Sequence, residues 1–331
     1  FASRWHKKGV KTKIYYTVRE LTNQAPELRA LRSLDNEILA DGKGGGYMWL
    51  REHLGDHYNA QWFTPITGSA QYDAAILTSG RSRWYNYHVE GLKWIIQKTD
   101  IDGLYLDDVA FDRDLLKRMR RVMDMVKPGC IIDLHSNTGF SKGPATQYME
   151  FYPYVNKLWF GESFQYNSMP PANWLVEVSG IPFGLMGDML HAGGNPWRGM
   201  VYGMTVRYPW FTEGVTCDPR EIWKVWDRFG IASARMNGYW ERTHPVQTTD
   251  SLVLATSYVK QDSLLVSIAS WNPNKTSVKL KVDLQKLGWK SIDTIVAPAI
   301  NGFQPETLFQ PDDAIPVDPE KGWLLILKRK K

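Results

Sequence analysis

The fold is indicated most clearly by Ile101-Asp102-Gly103-Leu104-Tyr105-Leu106-Asp107-Asp108-Val109-Ala110. The apolar run in this stretch predicts a buried β-strand over Gly103–Asp107, and two adjacent carboxylates stand where that strand ends. An amphipathic helix is predicted next, over Arg113–Val126, because apolar residues recur there at helical spacing until Pro128-Gly129. Another strand follows at Cys130–His135. A strand, a crossover helix and a second strand form the repeating unit of a parallel sheet.

This alternation extends up to about residue 241. We predict strands at Lys13–Arg19, Ala60–Ile66, Gly103–Asp107, Cys130–His135, Lys157–Gly161 and Ile181–Gly187. The last four begin 24–27 residues apart, and a (β/α)8 barrel of ~250 residues averages about 31 per unit. The spacing suits a barrel or a doubly wound sheet. We predict an α/β fold, a TIM-type (β/α)8 barrel forming a catalytic domain over residues 1–245.

Two features indicate that this barrel is incomplete. Only six strands are recognisable before residue 245. The chain opens on Trp5-His6-Lys7-Lys8-Gly9, which is typical of the end of a helix. We therefore expect sequence upstream of Phe1 to be missing.

The pattern changes after Arg242-Thr243-His244-Pro245 to short strands separated by turns. In one of them Val278, Leu280 and Val282 alternate with polar residues, the pattern of a half-buried strand. We predict a small antiparallel β-sandwich domain over residues 250–331. Its strands are expected at Leu252–Val259, Ser263–Trp271, Ser277–Leu284, Ile292–Ala297 and Gly322–Lys328.

Charge and hydropathy exclude several classes of partner. The 331 residues carry 40 basic and 35 acidic side chains, a net charge of +5, and the tail Lys328–Lys331 supplies four of the positive charges. The remainder is near neutral, so we expect no nucleic-acid binding. No apolar run approaches ~18 residues, so we expect no membrane span.

The sequence also lacks the motifs of common cofactor sites. Cys130 and Cys217 are too few for a disulfide framework, and no cysteine and histidine spacing resembles a zinc site. The glycines at 42, 44, 45 and 46 do not form a phosphate-binding loop. We therefore expect neither a metal nor a cofactor.

Ionisable residues stand at the ends of the predicted strands. In a parallel barrel these ends share one face, where barrel enzymes build their sites. Converging carboxylates raise one another's pKa, which general-acid catalysis requires. Acids after strands can instead cap helices, and we expect that role of Asp112 and Asp218. Two adjacent carboxylates repel each other, and a helix cap needs only one of them. We therefore predict that Asp107 and Asp108 are catalytic. Glu162 completes the predicted catalytic set, because it follows Trp159-Phe160-Gly161 and resembles an acid held beside an indole in an apolar wall.

The chain is rich in aromatic residues, with 15 tryptophans and 16 tyrosines. Sugars stack their C–H faces on indole rings, while their hydroxyl groups need fixed polar partners. Trp94, Trp223 and Trp226 fall inside helices, where we expect core positions. Others fall near predicted loops or strand ends: Trp49, Trp62, Trp159, Trp197, Trp210 and Trp240. The predicted substrate-binding set is Tyr105, Asp133, His135, Trp159, Asp188, Trp197 and Trp210.

The stretch at residues 101–110, the helix after it and the C-terminal β-sandwich resemble bacterial carbohydrate-active barrels. The chain looks most like glycoside hydrolase family 123, whose members carry an upstream β-sandwich and an Asp-Glu pair at the strand end. Here the pair is Asp107-Asp108, which is similar to family 84 hexosaminidases. The resemblance implies a glycosidase with a carbohydrate substrate. A periplasmic or secreted location would follow from that function.

The resemblance implies substrate-assisted retention on an N-acetylhexosaminide, an exception to the usual two-carboxylate scheme. Asp107 would orient the substrate's 2-acetamido group and Asp108 would protonate the leaving oxygen. In the alternative, which resembles α-galactosidase-type barrels, Asp107 is the nucleophile and Glu162 or Asp188 the acid/base. A non-catalytic carbohydrate-binding protein is the third reading, since aromatic content alone supports it equally well.

Overall fold

The computed structural model describes residues 1–80, 82–107, 112–135, 145–159, 164–187, 194–206, 208 and 218–330. The chain divides into two compact units. The first comprises residues 1–136 and 146–158, and the second comprises residues 137–145 and 159–331.

The first unit is built on parallel strands. The strands up to residue 159 are β1 (Lys13–Tyr15), β2 (Glu20–Thr22), β3 (Ala60–Pro65), β4 (Tyr72–Leu77), β5 (Gly103–Leu106), β6 (Ile131–His135) and β7 (Lys157–Trp159). Strands β1, β5 and β6 pair in parallel, and β7 follows β6 in the order β1-β5-β6-β7. These four strands are those predicted from the alternation of β-rich runs and helices.

The helices of this unit are α1 (Ala2–His6), α2 (Glu27–Arg32), α3 (Met48–Leu54), α4 (Arg83–Thr99) and α5 (Arg113–Val126). Helix α5 has the predicted bounds. Asp112 caps it as expected, because its Oδ1 accepts a hydrogen bond of 2.8 Å from the Leu115 N–H. Trp94 was expected in the core, but it lies 58% exposed on α4, so that expectation is wrong.

Two predicted barrel strands differ from expectation. Strand β3 pairs antiparallel with β4 in a three-stranded sheet of order β2-β4-β3, so it is not one of the parallel strands. The strand predicted over Ile181–Gly187 forms only at its end, as β8 (Met186–Gly187). A 3₁₀ turn occupies Ile181–Phe183 instead. Pro182 within that turn has no N–H to give to a strand ladder.

Alternation along the central strands separates two faces. Leu104, Leu106, Ile132 and Leu134 are at most 1% exposed and point to one face. Amphipathic α4 and α5 supply further buried side chains to the interior of this unit. Polar side chains of β5 and β6 therefore lie on the opposite face of these strands.

The second unit contains the predicted C-terminal β-domain. After β8 its strands are β9 (Arg235–Asn237), β10 (Val246–Thr248), β11 (Val253–Val259), β12 (Ser263–Ser270), β13 (Thr276–Val278), β14 (Leu280–Val282), β15 (Ile292–Ala297), β16 (Thr307–Phe309), β17 (Ile315–Val317) and β18 (Gly322–Arg329). Its helices include α6 (Pro196–Val201), α7 (Pro219–Phe229) and α8 (Leu284–Leu287).

Six of these strands form an antiparallel sheet in the order β16-β15-β18-β12-β11-β9, and two ladders, β10-β14 and β13-β17, accompany it. One hydrophobic cluster joins side chains of the sheet, such as Val266 and Leu325, to side chains of the ladders, such as Val278 and Ile315. A second cluster joins the sheet to α7 through Ile222, Leu265 and other side chains. The sheet also takes in β9, which precedes the domain boundary predicted between residues 245 and 250.

Candidate active site

Three parallel strands place polar side chains on one face in successive layers. Register aligns Lys13 with Gly103, then Tyr15 with Tyr105 and Asp133. The next residues along that face are Asp107, directly after β5, and His135, the last residue of β6. The polar residues therefore concentrate toward the carboxyl ends of the strands, where sites form in parallel α/β folds.

Asp107 is at the centre of this group. The Tyr15 hydroxyl donates a hydrogen bond of 2.8 Å to Oδ2 of Asp107, and Nε2 of His135 lies 3.5 Å from Oδ1. The carboxylate remains 36% exposed, whereas the His135 side chain is 7% exposed. Asp107 is thus held from two sides and still open to a ligand.

Aromatic rings line the same face. The ring of Tyr105 lies 5.8 Å from that of His135, with 28° between the planes, and 5.7 Å from that of Tyr15. Tyr105 and His135, both predicted to bind substrate, therefore lie in one cluster with Asp107. Sugar-binding sites combine such aromatic faces with fixed polar groups.

Asp133 is placed differently from the other predicted substrate-binding residues. Its side chain is 2% exposed and forms an ion pair with Lys13. Strand β5 lies between the strands that carry the two residues. Asp133 thus lies beneath the cluster, with its charge compensated inside the protein.

Tyr15 and Lys13 belong to this cluster although neither was predicted as a site residue. Both lie in the predicted strand Lys13–Arg19, at alternate positions. The sequence therefore predicts that the two side chains share one face of the strand. It does not identify the side chains that they contact on neighbouring strands.

Asp102 lies at the other end of β5 and has a structural role. It accepts hydrogen bonds of 2.7 Å from the Thr12 N–H and from His6, and its Oδ1 lies 2.9 Å from Nζ of Lys127. Burial alone would raise the pKa of Asp102, but these three partners lower it to about 2. The carboxylate thus ties β5 to the segment before β1.

The buried His88 and the half-buried Tyr16 form a pair of stacked rings. Their rings stack at 4.2 Å, and the Tyr16 hydroxyl donates to the His88 carbonyl oxygen. Burial lowers the pKa of His88 to about 3 and raises that of Tyr16 to about 12. Both side chains are therefore neutral at pH 7 and contribute to packing.

The remaining predicted residues divide into two groups. Asp108, Glu162, Asp188 and Trp210 lie outside the described residues. Trp159 ends β7 and is half-buried. Trp197 is 6% exposed in the core of the second unit, where its ring stacks on Phe303 at 4.5 Å. Little of its indole is left for a sugar, contrary to the role expected of it.

Within the described part of the chain, no group of three or more histidine, cysteine, aspartate or glutamate side chains is arranged to hold a metal ion. In the same residues no helix is long and apolar enough to cross a membrane.

Solved structures of similar fold include several α-amylases. An α-amylase from Geobacillus thermoleovorans, complexed with acarbose, has a TM-score of 0.57 at 12% identity, over 100% of this chain and 80% of that chain. An Anoxybacillus α-amylase has a TM-score of 0.56 at 12% identity, over 100% of this chain and 78% of that chain. The maltogenic α-amylase AmyB from Thermotoga neapolitana has a TM-score of 0.53 at 10% identity, over 99% of this chain and 80% of that chain. At such identities the likeness concerns the fold alone.

The match of the sequence to known families assigns the chain to one of them. Residues 1–209 match the TIM-barrel domain of glycoside hydrolase 123, and residues 218–328 match its C-terminal domain. No curated protein sequence matches the chain. The predicted barrel and C-terminal β-domain are thereby confirmed, as is the predicted enzyme class. The chain belongs to glycoside hydrolase family 123 and is a glycosidase.

Proposed function

We propose that this glycosidase cleaves N-acetylhexosaminides by substrate-assisted retention, with Asp107 at the centre of the site. The observation that carries the proposal is the setting of Asp107: a partly exposed carboxylate at a strand end, fixed by the Tyr15 hydroxyl and flanked by His135. A fixed carboxylate can accept the N–H of a substrate acetamido group without reorganising, which is how preorganised groups lower a barrier.

In the first step the acetamido oxygen attacks the anomeric carbon and the glycosidic C–O bond breaks. Asp107 accepts the amide N–H and stabilises the positive charge of the resulting oxazolinium ring. Asp108, the next residue in the sequence, gives its proton to the leaving oxygen. In the second step Asp108 takes a proton from water, which attacks the anomeric carbon and restores the acetamide with retained configuration.

Tyr105 and His135 form the wall of this site in the proposal. Their rings present an aromatic surface beside Asp107, and Tyr15 keeps the carboxylate in one orientation. Asp133 is left out of direct substrate contact because Lys13 and burial cover it. The roles of Glu162, Asp188, Trp159 and Trp210 remain those predicted from the sequence.

The test compares 4-nitrophenyl N-acetylhexosaminides with the matching plain hexosides. We expect turnover of the N-acetyl substrates and inhibition by a thiazoline that mimics the oxazoline intermediate. Asp107→Asn and Asp108→Asn should each lower kcat by about 10²–10⁴-fold. The Asp108→Asn loss should be smaller for an aryl leaving group than for an alkyl one, since an acidic leaving group needs less protonation.

Asp112→Asn is the matched control, because it changes a nearby acid that caps α5 and asparagine caps equally well. Its activity should equal that of the parent protein. Turnover of plain hexosides without thiazoline inhibition would contradict assisted retention and favour Asp107 as a nucleophile. Absence of turnover on every substrate would favour a binding protein.

A further inference from the structure

The antiparallel sheet of the first unit carries a cavity of about 440 Å³ that shares no lining residue with the Asp107 cluster. This volume lies within the range of small-molecule sites, about 300–1,000 Å³. It opens beside the end of β2, the start of β4 and the start of α3. Six side chains give the cavity its chemical character: Asn23, Gln24, Tyr47, Trp49, Gln71 and Tyr72.

Three of these residues present aromatic rings with similar orientation. The Tyr47 ring lies 5.0 Å from that of Tyr72, with 25° between the planes, and 6.3 Å from that of Trp49, with 17° between the planes. The Trp49 ring is backed by His53 at 4.1 Å. Tyr72 remains 36% exposed, and neighbouring Phe63 is 48% exposed. The protein thus keeps a set of near-parallel rings in contact with water.

The rings are held in place by a buried amide. Asn23 is 8% exposed, and its Oδ1 accepts a 2.6 Å hydrogen bond from the Ala74 N–H. Its Nδ2 donates to the Tyr47 hydroxyl at 2.5 Å and to the Tyr72 carbonyl oxygen at 3.3 Å. Both ends of the amide are therefore occupied in fixing the cavity wall. A wall fixed before binding reduces the entropy that a ligand must give up.

The chemistry of the lining favours a neutral, hydroxyl-rich ligand. None of the six residues carries a formal charge at pH 7, so nothing in this set selects for phosphate or carboxylate. The side chains of Gln24 and Gln71 are exposed at the rim. One N–H of the Gln24 amide donates a 2.8 Å hydrogen bond to the Tyr72 carbonyl oxygen, and both amides have further donors and acceptors for a ligand. Aromatic faces with amides at the edge match the C–H faces and hydroxyl groups of a pyranose.

Trp62 provides a contrast. It is 43% exposed on β3, but its Nε1 donates a 2.9 Å hydrogen bond to Glu20, and it does not line the cavity. Its indole is positioned by a carboxylate that itself pairs with Arg19. An exposed tryptophan alone therefore does not define a binding site. The site is defined by near-parallel rings, the buried amide of Asn23 and a cavity together.

We propose that this cavity is a second carbohydrate-binding site, in which one sugar ring of an oligosaccharide stacks on Trp49 or Tyr72 while Gln24 and Gln71 hydrogen-bond its hydroxyl groups. The proposal rests on the carbohydrate substrate of the enzyme, but not on the chemistry assigned to Asp107. The site captures longer glycans and leaves the cleavage of a small aryl glycoside unaffected.

The test is calorimetric titration of the full chain carrying Asp107→Asn, which prevents cleavage, with N-acetylchitohexaose, maltohexaose and cellohexaose. At least one probe should bind, and adding Trp49→Ala or Tyr72→Ala should weaken that binding about 10-fold or more. Gln71→Ala changes an exposed side chain that leaves the fold intact, and it should weaken binding several-fold. Trp94→Ala, a similarly exposed tryptophan on α4, is the matched control and should not change affinity.

Activity separates this proposal from the proposed mechanism. In the active protein, Trp49→Ala and Gln71→Ala should leave kcat/KM for 4-nitrophenyl monosaccharides unchanged. If Asp107→Asn stays active while Trp49→Ala weakens oligosaccharide binding, the mechanism fails and the second site stands. Binding of none of the three probes, or equal affinity of the parent, Trp49→Ala and Gln71→Ala proteins, overturns the second site.

Discussion

Replacing Lys13 with methionine removes the positive charge that compensates Asp133, while keeping a long apolar side chain in its place. The Asp133 side chain is 2% exposed, so water cannot replace the lysine. Its Oδ1 has no hydrogen-bond partner among the described residues. The ion pair is therefore the main compensation visible for this buried charge.

The magnitude follows from burial. Two unit charges ~4 Å apart attract by about 4 kcal/mol at an effective dielectric constant of 20. Removing one partner of a buried pair destabilises proteins by about 3–5 kcal/mol, since an uncompensated charge remains. We expect that loss for Lys13→Met, equivalent to a Tm decrease of roughly 9–15 °C at about 3 °C per kcal/mol. Asp133→Asn should cost less, about 1–2 kcal/mol, because Lys13 is 25% exposed and can reach water.

The assay is urea unfolding followed by circular dichroism and tryptophan fluorescence, with calorimetry for Tm, on both single variants and the double variant. The double variant should be more stable than Lys13→Met alone, because the isolated carboxylate is gone. The deficit of Lys13→Met should shrink from pH 7 to pH 5, since a buried carboxyl without a counter-charge favours its neutral form. Asp133→Asn should change KM less than threefold.

Additive effects of the two substitutions would contradict this account of the ion pair, as would a Lys13→Met deficit that stays constant with pH. A large increase in KM for Asp133→Asn, with stability intact, would restore the substrate-binding role predicted from the sequence.

Three further predictions concern single residues. Tyr15→Phe removes the donor to Asp107 and should lower kcat/KM about 5–10-fold with little change in Tm, and an unchanged kcat/KM would rule out that positioning role. Asp102→Asn should cost about 2 kcal/mol at pH 7, because the folded pKa of about 2 is below the ordinary 3.8. This stabilisation is present above about pH 4 and is lost as pH falls to 2, so denaturation curves of variant and parent should converge there. Arg198→Met removes a 3% exposed guanidinium that donates to the carbonyl oxygens of Tyr166, Asn167 and Ser270, and should cost about 3 kcal/mol by calorimetry. The exposed pair of Arg220 offers the control, since Arg220→Met should change stability far less than Arg198→Met.

Local patterns in the sequence were sufficient for the regular elements near the site. The 3.6-residue periodicity of α5 is a property of its own fourteen residues, and Asp112 caps it through a backbone group three positions away. The short apolar runs of β5 and β6 likewise predict these strands without reference to distant residues. The position of Asp107 at a strand end therefore follows from its immediate neighbours in the sequence.

Local patterns failed where a distant segment decides the outcome. The run at Ala60–Ile66 has the composition of a strand, but its antiparallel partner β4 places it outside the parallel sheet. Trp197 follows a proline near a predicted loop, but Phe303 and the second unit's core cover it. Neither partner can be read from a local pattern, because both come from tertiary packing.

The amino-acid sequence is enough to establish the parallel strand and helix units, the antiparallel C-terminal domain, the family and the place of Asp107 after β5. Periodicity and turn residues act over a few positions, so these features need no knowledge of the rest of the chain. Tertiary packing establishes that the Tyr15 hydroxyl donates to Asp107 across 92 residues of sequence, and that Lys13 forms an ion pair with the buried Asp133. Parallel pairing brings together side chains separated by whole crossover connections, and alternation identifies a shared face without identifying the neighbour on it.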